Sequence, residues 1–467
     1  MNGWLIATLG LGLTWAVGFL LAGTLARRSG LAEVAAAFPL GALVVTLLGL
    51  LLLHVGLPLA RNPWLIATIA VVGLAWLLRR HVGQDTPTSE SISPPRVGPY
   101  DSALLALGAL LLVVQLGLLV GGVVRIPTIA DWDAWAIWAF KAKVFFVDQG
   151  VTRYFAHADD YYFTWPARPC LSAFYQAFVY ACLGREDAGA VRLVHLAFFV
   201  SLLLAFFAAL RRVVAPGAAL LSTALLASLP TVAYVATAGL ANLVLGTYLF
   251  LAISSLERAR ATGQSALAVG AGLFLGGASL TRDEGLALGA VVILVASVSL
   301  RGRIRLVPAA AAFAIAVLCY LPWLLLVAPY ELWDLRSSWF SAEVVVRAGQ
   351  HAKDAGPILL MAAVELTRPV EQTRTSPFEA WLGAAPAWPL FGLALLRART
   401  LRKSSPLAWA AALAAVSGLL LYIAGFWLFP YEDLDWLRNN WLYVFDRHAL
   451  SVLPLAAYAT VVAFTSD

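Results

Sequence analysis

Asp131 and Asp133 stand two residues apart in the segment RIPTIADWDAWAIWAFKAKVFFVDQGVTRYFAHADDYYFTWPARP, which spans 125–169 and follows directly on an apolar run. A carboxylate at such a boundary can take a proton from an attacking hydroxyl or amine. A D-x-D pair can also hold a divalent cation, Mg2+ or Mn2+, against a phosphate. Either aspartate could instead cap the helix that begins at Ala134. Further along, His157, Asp159, Asp160, Tyr162, Trp165 and Arg168 offer aromatic rings for a sugar face and a guanidinium for a charge. The alternative there is an exposed polar turn. One histidine with two aspartates lacks the second His or Cys of a zinc site.

Two more clusters lie between apolar runs. Thr281-Arg282-Asp283-Glu284-Gly285 can be read as Arg282 binding a phosphate or as an ion pair that neutralises itself. Asp446-Arg447-His448 admits the same two readings. Two fixed guanidinium charges at the ends of separate helices suit a leaving phosphate, because they offset the charge that develops on it.

The elements that must position these residues are membrane helices. The chain has 467 residues, 61% hydrophobic and 12% charged, with a mean hydropathy of +0.83. Ionisable groups are expensive inside a bilayer, at roughly 2.5–3.5 kcal/mol each on insertion scales, so charges gather where water or substrate needs them. Runs of about 20 apolar residues cross the hydrocarbon core as helices. The expected fold is therefore an all-α polytopic transmembrane bundle of about thirteen spans, with external juxtamembrane helices.

Charge then sets orientation. Arg27/Arg28, Arg79/Arg80, Arg211/Arg212, Arg258/Arg260, Arg301/Arg303/Arg305 and Arg397/Arg399/Arg402/Lys403 fall on alternate sides of successive spans, and the positive-inside rule makes them cytoplasmic. The net charge of +6 is then a topology signal and no nucleic-acid footprint. The protein is expected in the inner (cytoplasmic) membrane, its acidic loops outside. Residues 1–80 read as a three-span appendage and 81–101 as a Ser/Pro-rich cytoplasmic linker. Residues 102–467 read as the main module, with external loops 125–186, 329–379 and 430–447. In the first loop, Trp135, Trp138, Phe145 and Phe146 are expected in the headgroups, with Lys141 and Lys143 snorkelling. Residues 169–184 are expected to lie on the membrane likewise. Cys170, Cys182 and Cys319 show no disulfide or metal spacing and read as buried free thiols.

The order of these features resembles the GT-C glycosyltransferases, similar to the aminoarabinose transferases and protein O-mannosyltransferases of the glycosyltransferase 39-like family. Asp131-Trp132-Asp133 takes the acidic position that opens the first external loop, Gly150 follows, and Tyr162–Pro169 matches an aromatic–Pro stretch. The region of Arg192, the turn Thr281–Gly285 and Arg447 resemble the family's later basic positions. The resemblance spans roughly 102–465 and implies a polyprenyl-phosphate sugar donor lying among membrane lipids. It further implies phosphate contacts from Arg282 and Arg447, Asp133 (or Asp131) as base, and an inverting transfer to a glycan, lipid or protein outside. Lys141, His157, Asp160, Tyr162, Arg168, Asn242, Glu284 and His448 complete the expected binding set. Asn242 stands where the family commonly has a second Asp. It can hydrogen-bond but cannot act as a base.

Three other readings compete. An O-antigen polymerase or ligase would use Arg347, His351, Lys353 and Arg368 in the late loop. A transporter would need polar or broken helices near the midplane. A non-catalytic lipid-binding relative would explain the missing second Asp.

Overall fold

In the computed structural model, the described residues are 2–26, 30–81, 98–125, 129, 131–299, 306–330, 346, 349–367, 387–428, 433–440 and 445–465. They form helices and connections, with no strand among them. The first helices are α1 (Asn2–Ala26), α2 (Leu31–His54), α3 (Arg61–His81) and α4 (Asp101–Arg125). A π-helical turn, Ala134–Ala139, leads into α5 (Phe140–Val147), and α6 (Thr152–Ala156) and α7 (Leu171–Leu183) follow. The central bundle is α8 (Ala188–Leu210), α9 (Pro216–Ser228), α10 (Pro230–Ala238), α11 (Ala241–Thr262), α12 (Ser265–Thr281), α13 (Gly285–Ser299) and α14 (Leu306–Val327). Helices Ala355–Thr367, Pro406–Leu428, Phe445–Ala449 and Leu453–Thr465 build much of the C-terminal part.

Among the described residues, seven helices are long and apolar enough to cross a membrane, or up to eight if a bent pair counts as one span. Five shorter apolar helices add to these, α7, α12 and α13 among them. The expectation of a helical polytopic protein stands, and the count of thirteen is not confirmed. The expected span 216–235 is in fact two helices, α9 and α10, bent by 66°. Pro230 causes the break: the residue before proline is pushed out of the α region, and Leu229 sits at φ −64°, ψ 120°.

Two expectations for the first external loop are corrected. Every residue of α7 is buried, and the helix packs against α1, α2, α5 and α8 in the interior rather than on the membrane surface. The helix, LSAFYQAFVYACL, has no charged side chain to hold it in the headgroups, and even its polar stripe of Ser172, Gln176 and Tyr180 is buried. In α5 and the turn before it, Trp138, Lys141 and Phe145 are buried, while Trp135 and Lys143 are exposed. Lys143 does reach outward, to Glu186 at 3.0 Å, but Lys141 does not snorkel.

The N-terminal helices are packed into the bundle. Phe38 of α2 meets Tyr175 and Phe198 edge-on at ring-centre distances of 5.6 and 5.0 Å. Tyr248 of α11 donates to the Pro39 carbonyl at 2.8 Å, and Tyr175 donates to Thr14 at 3.0 Å. All three cysteines are buried and free. Most of the expected linker 81–101 and much of loops 329–379 and 430–447, including Arg347 and Arg368, lie outside the described residues, as do the side chains of Tyr162, Arg438 and Asp446.

Candidate active site

α11, 22 residues and about 33 Å long, runs from a buried, uncharged start at Ala241 to a charged last part at Glu257–Arg260. At the charged end Arg212 and Arg260 both pair with Glu257, at 3.2 and 3.6 Å. The other end gathers the residues whose chemistry stood out in the sequence.

Asp131 and Asp133 sit at the entry to the π-helical turn. Asp131 Oδ1 accepts the Ala134 backbone N–H at 3.2 Å, so this aspartate does cap its helix. Its Oδ2 accepts from Tyr234 at 2.9 Å and from Arg447 Nη1 at 3.0 Å. Arg447 Nη2 donates to Asp133 Oδ2 at 3.1 Å, so one guanidinium bridges both carboxylates. Exposure separates the pair: the Asp131 side chain is 10% accessible and that of Asp133 39%. Asp131 is consumed by structure, and Asp133 keeps an accessible oxygen.

The neighbour of Arg447 carries the network onward. His448 Nε2 lies 3.2 Å from Arg282 Nη2; a guanidinium only donates, so that ring nitrogen faces it as the acceptor. Arg282 also donates to Glu284 at 2.6 Å and to Asn242 Oδ1 at 3.2 Å. Tyr422 donates to Glu284 at 3.4 Å, and its ring stands edge-on to His448 at 5.6 Å. Both readings of the Thr281–Gly285 turn had been open, and the geometry supplies the ion pair. Burial alone would raise the Glu284 carboxyl, but Arg282, His448 and Arg168 hold it below its usual value.

Arg168 lies 3.2 Å from Asp283 and stacks over Trp165 at 4.5 Å. Burial pushes its guanidinium below the usual arginine value, against the support of Asp283. Trp165 is held in the left-handed region at φ 54°, an uncommon conformation for a bulky residue. Lys141 secures it by donating from Nζ to the Trp165 carbonyl at 2.7 Å. The Trp165 ring packs with Ile137, Trp138 and Ala241, which joins the Asp131–Asp133 helix to the start of α11.

Three arginines thus meet four carboxylates at one end of the bundle. Of the expected set, the structure gathers Asp131, Asp133, Lys141, Arg168, Asn242, Arg282, Glu284, Arg447 and His448 around this network. His157 and Asp160 pair with each other at 3.7 Å on the exposed surface, with side chains 60% and 77% accessible. Trp165, expected as a ring for a sugar face, lies beside this network, whereas Tyr234 and Tyr422 were missing from the expected set; tyrosines within apolar helices carry no local mark. Among the described residues no group of three or more His, Cys, Asp or Glu is placed to hold a metal ion. Arg447 bridges the two carboxylates that a cation would have used.

An apolar helical bundle with an accessible carboxylate and clustered guanidinium groups at one end defines a multi-pass membrane protein with a charged polar site. Residues 167–326 match the family model of dolichyl-phosphate-mannose-protein mannosyltransferase, which indicates a membrane glycosyltransferase of the GT-C type. The matched segment takes in Arg168, Arg192, Asn242, Arg282, Asp283 and Glu284 but neither the Asp131–Asp133 pair nor Arg447. No curated protein and no solved structure matches the chain.

Proposed function

We propose that the chain transfers a sugar from a polyprenyl-phosphate donor to an acceptor on the external (periplasmic) side of the inner membrane, with Asp133 as general base. The observation that carries this reading is the Arg447 bridge, which ties up Asp131 and leaves Asp133 with an oxygen open to an incoming group. Asp133 would take the proton of the acceptor hydroxyl or amine as that atom attacks the anomeric carbon. The bond from that carbon to the phosphate oxygen breaks, and its electron pair leaves with the phosphate. Arg282 and Arg447 supply positive charge near the leaving group. A carboxylate used as a base, with no glycosyl-enzyme intermediate, implies inversion.

The two ends of α11 support this sidedness. Arg258, Arg260 and Arg212 lie at the end opposite the carboxylates, and the positive-inside rule places that end in the cytoplasm.

Transfer of radiolabelled sugar from polyprenyl-phosphate donors by the purified protein, with native lipid extract as acceptor, tests the reading. Asp133→Asn is expected to lower the rate by about 10²–10⁴-fold while the protein stays folded. Full transfer by the variant would remove Asp133 as the base. Absence of transfer by the wild-type protein from every such donor would remove the donor class.

A further inference from the structure

The start of α11 is a buried helix end without a side-chain cap. Leu240, Ala241, Asn242 and Leu243 are 2%, 0%, 2% and 3% exposed, and the Leu240 side chain cannot accept a hydrogen bond. The first N–H groups of any helix have no partner within it, and a buried end must find one elsewhere. The neighbouring α8 shows the ordinary solution, with Asp187 accepting the Ala190 N–H at 3.1 Å. Among the described residues no side chain caps α11 in this way.

Asn242 adds an independent mark. Its Oδ1 is taken by Arg282, while its Nδ2 has no hydrogen-bond partner among the described residues. A carboxamide nitrogen 98% removed from solvent and left unpaired is rare in folded proteins and asks for an acceptor. Helix N–H groups, the Asn242 amide and Arg282, which donates to Asn242 Oδ1, all belong to this one helix end. Each nearby carboxylate is held by a guanidinium, Glu284 by Arg282, Asp283 by Arg168, and Asp131 with Asp133 by Arg447. The positive end of a helix with spare donors suits an anion, above all a phosphate.

The position fits the proposed chemistry. A methyl built on Gly239 would sit 3.4 Å from the Ala134 side chain, so the turn into α11 lies one residue from Asp133. We infer that the start of α11, with Asn242 Nδ2, seats the phosphate of the lipid-linked substrate. This assignment rests on the donor class proposed above. It makes Asn242 a binding residue through its Nδ2 donor, which an aspartate in its place would lack.

Binding of radiolabelled polyprenyl phosphate to the full-length protein in nanodiscs tests this, with polyprenol lacking the phosphate as the reference lipid. The wild-type protein is expected to prefer the phosphorylated lipid by about tenfold or more, the range of a hydrogen bond to a charged group. Asn242→Asp should abolish that preference and leave polyprenol binding unchanged. Asn242→Ala, which adds no charge, should reduce it several-fold and serves if the aspartate variant fails to fold. A preference that survives both variants puts the phosphate elsewhere and overturns the inference while the proposed transfer stands. Faster sugar transfer by Asn242→Asp would also overturn it, because the site would then want a carboxylate. Displacement of the lipid by inorganic phosphate as effectively as by polyprenyl phosphate would assign the seat to free phosphate instead. Failure of the wild-type protein to bind either lipid would bring down the donor class itself.

Discussion

At the scale of single residues, the two aspartates of one short motif have been given different work. Asp131 accepts from a backbone N–H, a tyrosine and an arginine, whereas Asp133 makes its arginine contact and stays 39% accessible. Asp131→Asn should therefore lower thermal stability more than Asp133→Asn does, and differential scanning of the two purified variants checks this. Glu284 supplies a pH signature. Its carboxyl ionises more readily in the folded protein than in the unfolded chain, so its ion pair stabilises fully above the unfolded carboxylate range of about pH 4.3. That contribution is lost as pH falls through the lower folded value. Thermal unfolding followed from pH 7 to pH 3 should show it, and Glu284→Gln should flatten that part of the profile. Lys141 makes a third case. Removing its hydrogen bond to the Trp165 carbonyl leaves a left-handed tryptophan without its tether, so Lys141→Met should cost about 1–3 kcal/mol of stability. The same assay reads it.

At the scale of elements, small residues decide how the N-terminal helices join the bundle. A methyl added at Gly18 would fall on the Ala37 carbonyl, and one at Gly41 on the Thr14 carbonyl, so α1 and α2 cross with their backbones almost touching. Such crossings are held by close packing rather than by any apolar driving force within lipid. Gly18→Leu should force the helices apart and release Tyr175 from Thr14, giving a protein that fails to elute as one species on size-exclusion chromatography. The break between α9 and α10 is the other decisive element. By turning the chain 66° it carries Tyr234 to Asp131 and Thr237 to Arg192, whose Nε donates to the Thr237 carbonyl at 2.7 Å. A straight helix through 216–238 would have left both residues elsewhere. Gly239, at φ +90°, then reverses the chain into α11.

At the scale of the whole molecule, the charges divide between two ends. Arginines 212 and 260 gather around Glu257 at one, and the carboxylate–guanidinium network occupies the other. If the positive-inside rule orients the bundle, a cysteine at His157 should react with a membrane-impermeant maleimide in intact spheroplasts. A cysteine at Ala261, also exposed but at the far end of α11, should react only after the membrane is opened. The native cysteines are buried and give a low background. The reverse pattern would put the candidate site in the cytoplasm.

Much of this was legible in the order of residues alone. Hydropathy partitions a segment between lipid and water residue by residue, so the helical membrane class and the placing of charges at helix ends follow from composition. Local pairings were legible for the same reason: Asp131 capping Ala134 and Arg282 meeting Glu284 involve residues two or three apart. What lay hidden depends on how helices cross. Arg447 meets Asp131 across 316 positions and Asn242 meets Arg282 across 40, and no spacing rule links them. The burial of α7 and of Lys141 was hidden likewise, because an apolar stretch reads the same whether its neighbours are lipid tails or other helices. Only the tertiary structure chose between those solvents, and with that choice it made one aspartate a cap, the other an accessible carboxylate, and Asn242 a buried amide whose Nδ2 has no hydrogen-bond partner among the described residues.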